Sequence, residues 1–217
     1  MAAKTLLRRV GTGVGYFLIY VVAVYALTYF LPNYTPGFLR DKPLDNGFWR
    51  AVFFTHVALG AIALGLGPFQ FSKKLRQRRV RLHHTLGKLY VVSILVGSVA
   101  AFGAAWFSST GWVAATGFMS LAVAWFYTTF QAYRAIRCGQ VRSHQAWMYR
   151  SYAATLAAVT LRIILPFELA VLQMPFSTAY PIVAWLCWIP NLLVVEWWLV
   201  KRNRAEVALT PNPLKGA

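Results

Sequence analysis

The sequence predicts an all-α, polytopic integral membrane bundle of six transmembrane helices with both termini on the cytoplasmic side. Three observations predict it. Of the 217 residues, 59% are hydrophobic and the mean hydropathy is +0.52, too apolar for a water-soluble domain of this length. Six runs are long enough, at helical rise, to cross about 30 Å of hydrocarbon. The basic residues also segregate when chain ends and links are assigned alternately to two sides. Lys4, Arg8, Arg9, the seven from Lys73 to Lys88, Arg134, Arg137, Arg142, Lys201, Arg202, Arg204 and Lys215 share one side. Only Arg40, Lys42 and Arg50 share the other. An excess of Lys and Arg marks the cytoplasmic side.

The spans fall near 11–31, 49–72, 86–108, 111–132, 146–168 and 178–200, in a single domain over 1–217. The first, "VGTGVGYFLIYVVAVYALTYFL", is too long for a signal-peptide core, and no small-residue cleavage site follows it. Proline and glycine punctuate the link "PNYTPGFLRDKPLDNG" before the second span. "SKKLRQRRVRLHH" joins the second span to the third, and "SSTG" makes a tight turn between the third and fourth. Pro190 predicts a kink in the sixth span. The end of the chain, "VALTPNPLKGA", reads as a free tail. Aromatic clusters at span ends, "FWRAVFF", "FGAAWFSSTGW" and "EWW", match interfacial belts.

The net charge of +17 points to anionic lipid headgroups rather than nucleic acid, because it follows the sidedness of the links. Cys138 falls in a link and Cys187 inside a span, so they do not pair, and there is no CxxC. There is no phosphate-binding glycine loop, no dinucleotide fingerprint, no HExxH and no internal repeat.

Function is sought among ionisable residues in the apolar runs, since a charge in hydrocarbon is costly and faces a bundle interior or a cavity. These are His56 in the second span, Arg150 and Arg162 in the fifth, and Glu196 in the sixth. His83, His84 and His144 stand at the cytoplasmic rim, and Glu168 at the outer rim. In the fifth span His144, Met148, Ser151, Thr155, Ala158 and Arg162 fall on one helical stripe, roughly 27 Å from end to end. A lipid-facing helix would not keep such a polar seam, so the seam faces inward. Arg150 lies off it, at the depth of Glu196, and the matched depth predicts an ion pair between the two helices.

The second and third spans each carry His-x-x-x-Gly: His56 with Gly60, and His83 with Gly87. Small residues one turn from a histidine let a flat macrocycle lie against a helix while the imidazole ligates its metal, the steric logic of a haem site. The plain alternative is that these glycines only let helices pack closely. His83 and His144, both at the cytoplasmic rim, form the candidate pair for one b-type haem. His56 lies on the order of 20 Å away and cannot share that iron. Met119 is the one soft ligand at a similar depth. His56 also suits a quinone hydrogen bond or a proton relay.

"THVALGAIALGLGPFQF", "RLHHTLGKLYVV" and "RSHQAWMYRSYAATLAAVTLRI" together resemble the bacterial membrane proteins of the domain of unknown function 2306. The matching residues are His56 with Gly67 to Gln70, then His83, Gly87 and Tyr90. The third block supplies His144, Trp147, Met148, Arg150, Ser151, Tyr152 and Arg162. The resemblance spans roughly residues 50–165, with a core at 49–168, and implies a multi-span protein of the bacterial inner membrane with no settled activity. A weaker likeness is to the b-type cytochromes that pass electrons from ascorbate, whose four central helices carry two histidine pairs. Here the fourth span carries no histidine. Three function classes follow: a redox or quinone-linked protein with one cytoplasmic-side haem b, an accessory subunit of a larger membrane complex, and a small transporter. His83, His144, His56 and Arg162 are the candidate cofactor residues.

Overall fold

This computed structural model describes the backbone of residues 2–31, 39 and 42–209, with side chains for 10–31, 39 and 42–205. The side chains of Lys4, Arg8, Arg9, Arg40 and Lys215, used in the charge pattern, and most of the predicted tail lie outside the described residues. The described chain is helical throughout. α1 (Ala2–Leu27) ends in a 3-10 turn at Thr28–Phe30, and α2 (Gly47–Gln70) is followed by the short α3 (Lys73–Arg78). Then come α4 (Val80–Trp106), α5 (Trp112–Arg137), α6 (Val141–Thr155), α7 (Ala157–Ala170), α8 (Phe176–Leu186) and α9 (Ile189–Leu209).

Six segments are long and apolar enough to cross a membrane: Val10–Phe30, Gly47–Gln70, Val80–Trp106, Trp112–Arg137, Val141–Ala170 and Phe176–Ala205. Four begin or end several residues beyond the apolar runs. The third starts at Val80 rather than near 86, which puts His83 and His84 inside α4. Helical hydrogen bonding continues into headgroup depth, where polar residues are tolerated, so hydropathy alone truncates the helix. The basic link contains α3, whose start is capped by the Ser72 hydroxyl accepting from the Leu75 amide.

The fifth and sixth spans are each two helices, interrupted at Leu156 and at Cys187–Trp188. One side chain reaches both breaks. Asn191 Nδ2 lies 3.3 Å from the Ala153 carbonyl, 3.0 Å from the Cys187 carbonyl and 3.0 Å from Thr160 Oγ1. The Ala153 carbonyl would otherwise accept from Ala157 within a continuous helix, and a side chain inserted into that ladder breaks it. Pro190 sits in the first turn of α9, where its missing N–H costs no hydrogen bond, so the predicted kink is a full break one turn earlier.

The most extensive packing is of α2 on α4, α4 on α5 and α5 on α6. α1 lies against α2 and α7, α8 against α5 and α7, and α9 against α6. Small residues allow these close approaches. Gly117 meets Ala184 of α8, and Gly97 meets Leu59 of α2 and Trp125 of α5. The core between α2, α4, α5 and α6 holds Leu64, Tyr90, Ile94, Trp125, Met148 and Tyr152. Outward-facing Phe17, Val99, Trp112 and Trp197 are exposed, as a lipid-facing surface requires.

Candidate functional site

The inward stripe of the fifth span is the starting point. Met148, Ser151 and Thr155 on α6 are buried, and neighbouring helices bring partners to them. The Tyr90 hydroxyl of α4 lies 2.9 Å from Ser151 Oγ and 3.4 Å from Thr155 Oγ1. Thr129 of α5 lies 2.7 Å from Ser151 Oγ, and Trp125 Nε1 donates to Thr155 Oγ1 at 2.8 Å. Sequence reading placed Ser151 and Thr155 on the seam and Tyr90 on the His83 face, but it did not single out Thr129 or Trp125. The signal available for them was the Thr128-Thr129 pair inside an otherwise apolar run.

The hydrogens of this cluster can be assigned from its carbonyls. Thr129 donates to the Trp125 carbonyl at 2.9 Å, and Thr155 donates to the Ser151 carbonyl at 2.9 Å. Ser151 then donates to Thr129, and Tyr90 donates to Ser151. Every hydroxyl proton is committed and the paths end on backbone carbonyls. The cluster locks three helices, α4, α5 and α6, together and leaves no open relay.

Two histidines stand beyond this lock. His144 Nδ1 is 2.8 Å from the Ala132 carbonyl of α5, and His56 Nδ1 is 3.3 Å from the Gly97 carbonyl of α4. A carbonyl only accepts, so in each ring Nδ1 carries the hydrogen and the neutral imidazole keeps its lone pair on Nε2. Both rings are thereby oriented, with Nε2 available to a ligand. The edge of Trp125 meets His56 at 5.9 Å between ring centres.

Arg162 lies within electrostatic range of both His56 and Tyr180. It donates to the Ala158 carbonyl at 2.9 Å, one turn back on its own helix, and its guanidinium lies 5.6 Å from the Tyr25 ring centre. Among the described residues no carboxylate pairs with it. Met119 does not face this group. It lines an open cleft of about 470 Å³ with Phe102, Ser120, Val123 and Tyr127.

At the basic end, His83 lies within electrostatic range of His144 and Arg76, and its Nδ1 is buried without a partner. Arg150 and Glu196 do pair: Nε meets Oε1, and Nη2 meets Oε2 at 2.8 Å. Arg150 also lies 4.6 Å over Trp147.

A haem between His83 and His144 needs room for its macrocycle against the glycine faces. The histidine chemistry suits an axial ligand, but protein fills the space. A Cβ on Gly67 would fall inside the Tyr152 ring, and one on Gly87 would lie 3.2 Å from Gln70 Oε1. A haem between His83 and His144 does not fit this arrangement. Among the described residues no three His, Cys, Asp or Glu gather as a metal site.

The family model described as "Predicted membrane protein (DUF2306)" matches residues 53–199. That range takes in the sixth span, which the resemblance noted from sequence did not reach. No curated protein and no solved structure matches the chain.

Proposed function

We propose that this chain, which belongs to the DUF2306 family of predicted membrane proteins, is a quinone-linked membrane protein. The headgroup is held by His56 and Arg162. One observation carries this reading: an oriented imidazole with a lone pair on Nε2 stands near a guanidinium that has no carboxylate partner among the described residues. A quinol hydroxyl donates to such an Nε2. A quinone or quinolate oxygen accepts from such a guanidinium. Trp125, Tyr25 and Tyr180 supply an aromatic surround that a flat ring can pack against.

The closed hydrogen-bond cluster argues against a proton or solute path along the fifth span, and so against the transporter reading. The positive-inside pattern supports a basic pole at the cytoplasmic face of a bacterial inner membrane, with His56 toward the other face. Cys138 is exposed near that basic pole and Cys187 is buried. In intact cells Cys138 is therefore labelled by a membrane-permeant maleimide and not by an impermeant one; labelling by the impermeant reagent reverses the orientation.

The test is binding of a short-chain ubiquinone analogue to the purified chain in mild detergent, read by tryptophan fluorescence quenching. His56→Ala and Arg162→Gln are each expected to weaken binding by roughly tenfold. Equal binding by the parent and both variants rejects the site. A reduced-minus-oxidised spectrum with a sharp b-type band that depends on His83 and His144 returns the question to haem. Absence of quinone binding together with a stoichiometric co-purifying subunit favours the accessory reading.

A further inference from the structure

A second group of polar atoms, separate from the His56–Arg162 site, lies where α2, α3 and α4 meet at the basic pole. Gln70 closes α2 and is only 5% exposed, yet its Nε2 has no hydrogen-bond partner. Its side chain lies on the Gly87 backbone of α4, with Oε1 3.2 Å from where a Cβ would stand. One turn back on that helix is His83, whose buried Nδ1 is also unpartnered. Arg76 of α3 reaches the same place: its Nη1 donates to the Gln70 carbonyl at 3.0 Å, and it lies within electrostatic range of His83. The rest of its guanidinium makes no hydrogen bond or ion pair among the described residues.

A buried amide N–H₂ left unpaired is costly, and native proteins keep such groups where something else supplies the acceptor. Among the described residues no carboxylate pairs with this group. The chain has five acidic residues, none of them between positions 46 and 167. Amide, guanidinium and imidazole donors together match an anion with several acceptor oxygens and a diffuse negative charge. Lys73, Lys74, Arg78 and Arg79 are exposed on the same basic segment and raise the local concentration of anions. We propose that Gln70, Arg76 and His83 form a binding site for a phosphate group at the basic pole. Its sources are the headgroup of an anionic lipid or a free phosphate.

The experiment uses the full chain in mild detergent, with dioleoylphosphatidylglycerol and inorganic phosphate as separate probes, read by native mass spectrometry and thermal stability. The parent is expected to retain a single lipid or phosphate adduct and to gain thermal stability from that probe. Arg76→Gln and Gln70→Leu are expected to weaken binding by roughly tenfold. Gln70→Leu keeps the side-chain volume and removes the orphaned amide, so without ligand its stability stays equal to the parent's or rises. That outcome separates ligand binding from a structural role. Arg137→Ala, at an exposed basic residue that ends α5, leaves the adduct in place. An adduct only with lipid assigns the headgroup, and one only with phosphate assigns the free ion. If neither probe binds, or if all variants bind alike through the basic surface, the proposal is overturned.

Discussion

The Tyr90 hydroxyl lies 2.9 Å from the Ser151 hydroxyl, and this contact joins α4 to α6 at the centre of the bundle. Both residues are fully buried. Ser151 is the middle of the cluster, since Thr129 bonds to it from α5. Ser151→Ala leaves the Tyr90 hydroxyl with only its 3.4 Å contact to Thr155 and is expected to cost about 2 kcal/mol. Tyr90→Phe leaves Ser151 bonded to Thr129 and costs about 0.6 kcal/mol, the usual worth of an interhelical bond in a membrane protein. The double variant, measured by SDS unfolding in mixed micelles, should cost less than the sum. Strict additivity would show that the two hydroxyls do not act on each other.

Gly67 is required by the ring that fills its place. A Cβ there would fall inside the Tyr152 side chain, whose hydroxyl donates to the Leu64 carbonyl at 3.3 Å. Phe71 closes the other side of that ring. The ring cannot retreat, so Gly67→Ala is expected to cost about 3 kcal/mol, the upper end for overpacking. Gly65→Ala, two residues away with nothing within 4 Å of its Cβ position, should change stability by less than about 0.5 kcal/mol. Truncating the ring in Gly67→Ala/Tyr152→Leu should recover part of the loss. Equal melting temperatures for the two alanine variants would contradict the packing described.

Asn191 couples the two broken spans, and its removal should be felt in both. Asn191→Leu leaves the Ala153 and Cys187 carbonyls without their side-chain donor and leaves the Thr160 hydroxyl only the Leu156 carbonyl. The expected loss is about 2 kcal/mol. Faster amide exchange should appear at 153–160 in the fifth span as well as at 187–192. Protection lost only around residue 191 would mean that the break in the fifth span does not depend on this side chain.

The sequence carries the bundle more fully than it carries the site. Six apolar runs give six spans because only a continuous helix satisfies its backbone in hydrocarbon. The stripe from His144 through Ser151 and Thr155 is legible from periodicity, since polarity on one face of such a helix has to be turned inward. What meets the stripe is not legible. Thr129 and Trp125 reach it from another helix, and periodicity within one segment says nothing about its neighbour. The break at Leu156 is equally hidden, because the side chain that reaches it is Asn191, more than thirty residues away. The glycine faces of Gly67 and Gly87 read as room for a macrocycle, whereas Tyr152 and Gln70 fill them; a small residue announces a close approach without saying by what. Helix ends fail for a different reason: α4 and α5 run on into polar sequence that hydropathy scores as link.

Arg150 and Glu196 show what depth alone can predict. They are 46 residues apart, on α6 and α9, and form a two-point pair with Arg150 also over Trp147. The Arg150 side chain is 21% exposed and the Glu196 side chain 46%. That exposure sets the magnitude below the several kcal/mol of a fully enclosed pair. Glu196→Gln keeps the shape and removes the charge, leaving a guanidinium within an otherwise apolar span, and is expected to cost about 1–2 kcal/mol. Arg150→Met alone leaves the carboxylate unpaired and should cost a similar amount. The double variant Arg150→Met/Glu196→Leu removes both charges and should recover most of the stability in thermal unfolding, because the penalty of each single change is the orphaned partner. If the double variant loses as much as the sum of the singles, the pair contributes net attraction and not mutual neutralisation.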